Sequence, residues 1–173
     1  MKKRILLVTL CCWFFTGITV QAVEPSSPAP LAWEISVRPK PTEQEIEKAR
    51  WYPVFANDIA IYEFDPKSLR SDEADKNLVR VLTRTTFTDP KVSGTLNEKY
   101  KEKLTEDDKV AYVEIELVFQ IRQKLYSVSG TKVLSEQGKL LEERQPAEKF
   151  APVPAKTLAD SMYDIAKNYQ RNN

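Results

Sequence analysis

Two carboxylates stand two residues apart in "VAYVEIELVFQI", the stretch from Val110 to Ile121. In an extended chain Glu114 and Glu116 share a face, about 7 Å apart at a rise of roughly 3.3–3.4 Å per residue. Carboxyl pairs about 5–10 Å apart carry glycoside hydrolysis, one as acid and the other as base or nucleophile. That chemistry also needs a cleft that raises one of the two pKa values, and no residue pattern beside the pair announces one. The competing expectation is cross-strand ion pairing with Arg80 and Arg84, worth about 0.2–1 kcal/mol per pair.

Other spacings invite chemistry less strongly. Ser129 and Lys132 match Ser-x-x-Lys, but that motif opens a helix in penicillin-recognising enzymes and has companion motifs that this chain lacks. "TEDDK", Thr105 to Lys109, is rich in acids, yet a calcium loop needs spaced oxygens and usually a Gly turn. It is expected to be a solvated helix end. Gly130 and Gly138 precede no Gly-Lys-Ser/Thr, so no phosphate loop is expected. Small basic clusters, "KYKEK" from Lys99 and Arg122 with Lys124, suit polyanions, but the interleaved Glu98 and Glu102 point to pairing along a helix.

What the chain lacks narrows the chemistry further. It has no His, and its two Cys are Cys11 and Cys12. Ser-His-Asp and Cys-His nucleophile systems, zinc sites of the usual His or Cys type and His-ligated haem are therefore ruled out. No catalytic, cofactor or metal residues are expected, and the chain is expected not to be an enzyme.

Those two Cys lie in an N-terminal segment that reads as an export signal. Lys2, Lys3 and Arg4 precede an uncharged, mostly apolar run from Ile5 to Val20, which closes on Val20-Gln21-Ala22. Cleavage is expected after Ala22, making 1–22 the signal peptide. The run is short for an uncleaved span of about 20 residues. A lipoprotein is disfavoured because Cys11 follows Leu10 and the apolar run continues past Cys12. About 150 residues then remain, enough for one domain with a core. Without three of its 26 basic residues, against 25 acidic ones, the exported chain carries a net charge of about −2, which gives no reason to expect nucleic-acid binding. It would hold no disulfide and no membrane span, and would work in the periplasm, at the cell surface or in the medium.

The elements that position Glu114 and Glu116 follow from periodicity. Residues 23–41 carry five prolines and read as a linker, within which Trp33 and Ile35 offer a short docking strand. Thr42 with Glu45 forms a capping-box pattern for a helix to about Ala49. "WYPVFA" and "IAIYEFD" read as strands around an Asn57-Asp58 turn. "DPKSL" from Asp65 is a turn and "RSDEADKN" a polar loop. "LVRVLTRTTFT" alternates, with Val79, Val81, Thr83, Thr85 and Phe87 on one face and Arg80, Leu82, Arg84 and Thr86 on the other.

"DPKVSG" from Asp89 is expected to break the sheet, and Val92, Leu96, Tyr100 and Leu104 stripe a helix. The 110–121 strand follows, with Ala111, Val113, Ile115, Leu117, Phe119 and Ile121 on its dry face. Val110, Tyr112, Glu114, Glu116, Val118 and Gln120 occupy its mostly polar face. After a tight connection near Gln123 comes "KLYSVSGTKVL", with a bulge at Gly130, then a turn at Gln137-Gly138 and a strand from Lys139 to Glu143. "PAEKFAPVPAKT" is a polar, Pro-rich approach. The last helix is capped by Thr157 with Asp160 and striped by Leu158, Met162, Ile165, Ala166 and Tyr169. The order gives an α+β domain over 42–173: an antiparallel meander of about five to six strands, its dry face packed by the middle and C-terminal helices.

The chain from about Trp51 to Tyr169 resembles the surface-adhesin protein E-like family of exported bacterial domains. "RWYPV", "AIYEFDPKSL", "VRVLTRTTF", "EKYKEKL", "YVEIELVFQI", "KLYSVSGTKVLSEQGKLLEE" and "FAPVPAKTLADSMYDIAKNY" carry the likeness in that order. Members of that family can hold a Cys pair, which this chain lacks after residue 12. The resemblance implies a small α+β domain of the envelope or surface that adheres to host or matrix protein. The leading expectation is thus a non-enzymatic protein-binding domain, with Arg80, Arg84, Tyr112, Glu114 and Glu116 as its surface. The alternatives are an envelope structural or accessory protein that binds another envelope protein or self-associates, a homodimer included, and a carboxylate-based hydrolase.

Overall fold

The first helix starts where its capping chemistry allows. Thr42 Oγ1 accepts the Glu45 N–H, and the Glu45 carboxylate accepts the Thr42 N–H at 2.8 Å, closing the capping box at the start of α1 (Glu43–Arg50). This is a computed structural model, and it describes residues 40–173. The expected signal peptide and nearly all of the expected linker, with Trp33 and Ile35, lie outside the described residues.

After α1 come β1 (Tyr52–Ala56), β2 (Ala60–Phe64), β3 (Arg70–Ser71), β4 (Leu78–Phe87), α2 (Pro90–Tyr100), β5 (Val110–Gln120), β6 (Leu125–Ser135), β7 (Leu140–Arg144), β8 (Ala151–Pro152) and α3 (Leu158–Asn172). One antiparallel sheet runs in the order β1-β2-β4-β5-β6-β7, with β3 added to β4 and β8 to β6. The fold is α+β, as the alternation predicts. The eight strands are the six of the meander plus two of two residues each, too short to leave an alternating pattern. One of them, β3, falls inside the stretch expected to be polar loop.

Register sorts the faces. Val79 lies opposite Phe119, Val81 opposite Leu117 and Thr83 opposite Ile115. The apolar members of these pairs meet Ala159, Met162, Tyr163 and Ala166 of α3 in the larger core cluster. The stripe of α3 thus turns toward Ala159 and Tyr163, both absent from the predicted set. The Tyr163 hydroxyl donates to the Ile121 carbonyl at 2.9 Å, which lets a polar ring tip be buried. A smaller cluster joins Tyr100, Val133 and Leu141 with Leu96, Leu104, Val110 and Val113 beneath α2. Both helices therefore cover the dry face.

Two boundaries differ from expectation. Asp89-Pro90 starts α2 instead of merely breaking the sheet: the Asp89 carboxylate accepts the Lys91 N–H at 2.8 Å, and Pro90 sits where the missing N–H costs nothing. The helix proper ends at Tyr100, but the Leu104 N–H still reaches the Tyr100 carbonyl at 3.1 Å, so Leu104 completes the apolar stripe. Asp108 is not a solvated acid. It is buried, and its Oδ1 accepts the N–H groups of Lys109 and Gln137, tying the β6–β7 turn to the start of β5. In that turn Gly138 has φ +76°, a conformation that costs other residues about 1 kcal/mol or more.

Candidate functional site

The polar face of β4 and β5 is mostly sealed, not bathed. Arg84 faces Glu114 across the ladder, and its Nη2 donates to Glu114 Oε1 at 2.9 Å, the cross-strand pair expected from sequence. The same nitrogen also reaches Glu47 of α1. The guanidinium lies 3.9 Å from the centre of the Trp51 ring and 3.7 Å from that of Tyr112, so it is sandwiched between two aromatic faces. Its side chain is only 9% exposed.

Trp51 and Glu47 are four residues apart, and the indole N–H donates to the Glu47 carboxylate at 2.9 Å. None of the residues of α1 itself is buried, so apolar packing does not hold it. Polar links at its C-terminal end do: Glu47 to Arg84, and Arg50 to the buried Asp65 at 2.7 Å. Glu47, Trp51 and Asp65 are site residues that the sequence argument missed. The i, i+4 spacing of Glu47 and Trp51 was the available signal.

Glu116 has different partners from those expected. Its ladder neighbour is Leu82, while Arg80 lies opposite Val118. Arg80 turns to Glu148 at 2.8 Å instead, and Val118 is fully buried although its position belongs to the polar face. Glu116 pairs with Arg70 on β3, a strand too short to be read, and accepts the Ser129 hydroxyl. Ser129 reaches it because the register of β5 on β6 shifts between Glu116 and Leu117, opposite Gly130 and Val128. The extra residue of that bulge is Ser129, beside the Gly130 that marked it in the sequence.

These contacts set the charge states. Burial pushes the Glu116 carboxyl up, but the hydrogen bonds from Ser129 and Arg70 and the charges of Arg70 and Arg80 outweigh it, leaving the group below the usual carboxylate range. A general acid at neutral pH needs the opposite shift. The Trp51 hydrogen bond, opposed by burial and aided by Arg84, holds Glu47 low as well. Burial pushes the Tyr112 phenol up.

Two hollows open on this face. One, of about 370 Å³, is lined by Glu114, Glu116, Ser129, Lys132, Glu143 and Gln145 among others. It brings the Ser-x-x-Lys residues together with both carboxylates, yet the Ser129 hydroxyl donates to Glu116 and the Lys132 ammonium pairs with Glu143 at 3.4 Å. The other, of about 590 Å³, lies between α1 and the β6–β7 turn and is floored by Trp51 and Arg84. Among the described residues, no group of three His, Cys, Asp or Glu is placed to hold a metal ion, and no helix is long and apolar enough to cross a membrane.

No protein-family model matches the chain, and no curated protein does. Among solved structures, crystal form II of Haemophilus influenzae protein E is similar to it, with a TM-score of 0.43 and 9% identity over 69% of this chain and 94% of that one.

Proposed function

We propose that the chain is an exported, non-enzymatic binding domain that recognises a protein partner through the sheet face carrying α1. The observation that carries this reading is the separate neutralisation of the two carboxylates. Glu114 belongs to Arg84, and Glu116 belongs to Arg70 and Ser129. They act as structural ion pairs beneath open hollows, not as an acid and base facing one enclosed substrate. The order of motifs that resembles the surface-adhesin protein E-like family makes a host or matrix protein the first partner class to test. The decisive experiment combines localisation with binding. Added protease should cut the domain on intact cells, and the purified protein should bind at least one member of a matrix-protein panel. Confinement behind the envelope together with an empty panel removes adhesion.

A second reading, self-association in the envelope, is favoured by the β1 edge. Tyr52, Phe55, Ile59 and Ile61 are large, apolar and exposed along β1, its turn and β2. Phe55 packs against Tyr62 in a tilted pair with ring centres 4.5 Å apart, so part of this surface is pre-ordered.

A further inference from the structure

We propose that the hollow beside Val128 of β6 is a slot for the carboxylate end of a partner polypeptide, which pairs main chain to main chain with the sheet edge there and sets its terminal charge against Lys149. The outer edge of β6 is paired in two places. Leu125 and Tyr126 pair with β8, and Thr131, Lys132, Val133 and Leu134 pair with β7. Residues 127–130, between them, face no strand on that side. Lys124 accepts the Val153 N–H at 3.2 Å, and the alternation of an antiparallel ladder turns the main-chain groups of Tyr126 and Val128 to the same side. Tyr126 meets Ala151 there. The N–H and C=O of Val128 have no partner on that side among the described residues.

The chain bridges this gap with residues 145–150, which belong to no helix or strand. Their main chain makes no hydrogen bond to β6 among the described residues, and the side-chain bond that fixes them is Glu148 to Arg80 at 2.8 Å. A hollow of about 260 Å³ is left between bridge and strand, lined by Tyr126, Ser127, Val128, Pro146, Ala147 and Lys149 among others. Ser127 is 3% exposed, and its hydroxyl also makes no hydrogen bond among the described residues.

Three features choose the occupant. A bare strand edge recognises an extended main chain, whose groups repeat in register with its own. Because β7 and β8 close the gap at both ends, and four residues span roughly 13 Å, it admits the last few residues of a chain and not a strand running through. Lys149 is the only charged residue lining the hollow and is in no ion pair among the described residues. The counter-charge it lacks is an anion, which a free chain end carries whatever its side chains are. The slot takes its polypeptide partner from the binding-domain reading above and adds the chemistry of the end that docks.

The test is a titration of the purified protein with an acetylated tetrapeptide alternating serine and valine, free at its carboxyl end, followed by amide shifts. The same peptide closed as a carboxamide is the comparator. Shifts are expected at residues 127–130 and 147–149, and the bound peptide should slow exchange of the Val128 amide. The carboxamide should bind about tenfold more weakly. Lys149→Gln should weaken the free acid by about threefold to fivefold and leave the carboxamide unchanged, while Lys91→Gln, outside the lining, should change neither. N-methylation of alternate peptide N–H groups should weaken binding about tenfold in one register and spare it in the other, because every second N–H faces the strand. No shift at Val128, equal affinity of acid and carboxamide, or equal loss in both methylated registers overturns the proposal. Shifts confined to α1 and Arg84 overturn the slot and leave the binding-domain reading standing. An empty matrix panel and confinement behind the envelope, with the free acid still bound at Val128, remove adhesion and leave the slot.

Discussion

The Arg84 guanidinium lies 3.9 Å from the centre of the Trp51 ring, and Tyr112 closes its other side at 3.7 Å. One buried cation on β4 thereby fastens α1, through Trp51 and Glu47, to the middle of the sheet.

Removing that cation should be costly. Arg84→Ala leaves Glu114, whose side chain is 14% exposed, without its partner, and a broken buried pair costs about 3–5 kcal/mol. Arg84→Lys keeps the charge but loses the planar stack and one hydrogen-bond geometry, so about 1–2 kcal/mol is expected. Urea unfolding followed by circular dichroism measures both; equal losses would show that the charge by itself contributes nothing and that the planar stack and its hydrogen bonds carry the whole effect.

Freeing α1 alone should be cheap for the domain and visible locally. Glu47→Ala removes the links to Trp51 and Arg84 while burying nothing new. Global stability should fall by about 1 kcal/mol or less, whereas amide exchange in Glu43–Arg50 should rise well above that of β4 and β5. Uniform exchange across all three elements would contradict a helix held by its C-terminal end.

Acid should loosen both faces of the sheet. The carboxyls of Glu47, Glu116 and Glu142 all lie below their ordinary values, through the Trp51 bond for the first, the Ser129 and Arg70 bonds overcoming burial for the second, and the Tyr100 bond for the third. Their unfolded forms bind protons first as pH falls, so the stability they add is fully present above the usual carboxylate range and is lost as pH drops through the lowered folded values. Midpoint denaturation measured from about pH 7 to 3 should decline below about pH 5. Glu116→Gln should flatten part of that slope.

The hydroxyl of Tyr163 should matter more than its exposure suggests. Tyr163→Phe leaves the Ile121 carbonyl without that donor at the edge of the core, for a loss of about 1–2 kcal/mol. Thermal unfolding of Tyr163→Phe beside Tyr169→Phe, whose hydroxyl has no such partner among the described residues, separates the hydrogen bond from a general loss of phenol.

If the β1 edge mediates self-association, Tyr52→Lys with Phe55→Lys should convert any dimer to monomer without unfolding, since both side chains are exposed. Sedimentation at several concentrations decides this, and a wild type that stays monomeric throughout removes the second functional reading.

The sequence alone determined much of what depends on neighbours a few residues away, the Asp89 cap and the Glu47–Trp51 bond being the local features it did not yield. Alternation along 78–88 and 112–121 assigned side chains to their faces, because successive strand residues must point to opposite sides; Val110, expected on the polar face, packs beneath α2 instead, because a register shift between Val110 and Tyr112 breaks the alternation. Thr42 with Glu45, Asp65 beside Pro66, and Gly138 specified their caps and turns, because those bonds close within four residues. Only the tertiary structure decided which cation meets which carboxylate. Arg84 found Glu114 because the β4–β5 register places them opposite, but that register also put Arg80 against Val118 and left Glu116 to Arg70. A two-residue strand, a one-residue bulge and a helix crossing the polar face made those choices, through contacts such as that of Arg70 with Glu116, 46 residues apart. Local periodicity carries no information about such pairs: it says which face a charge is on, and only the folded chain says what covers that face.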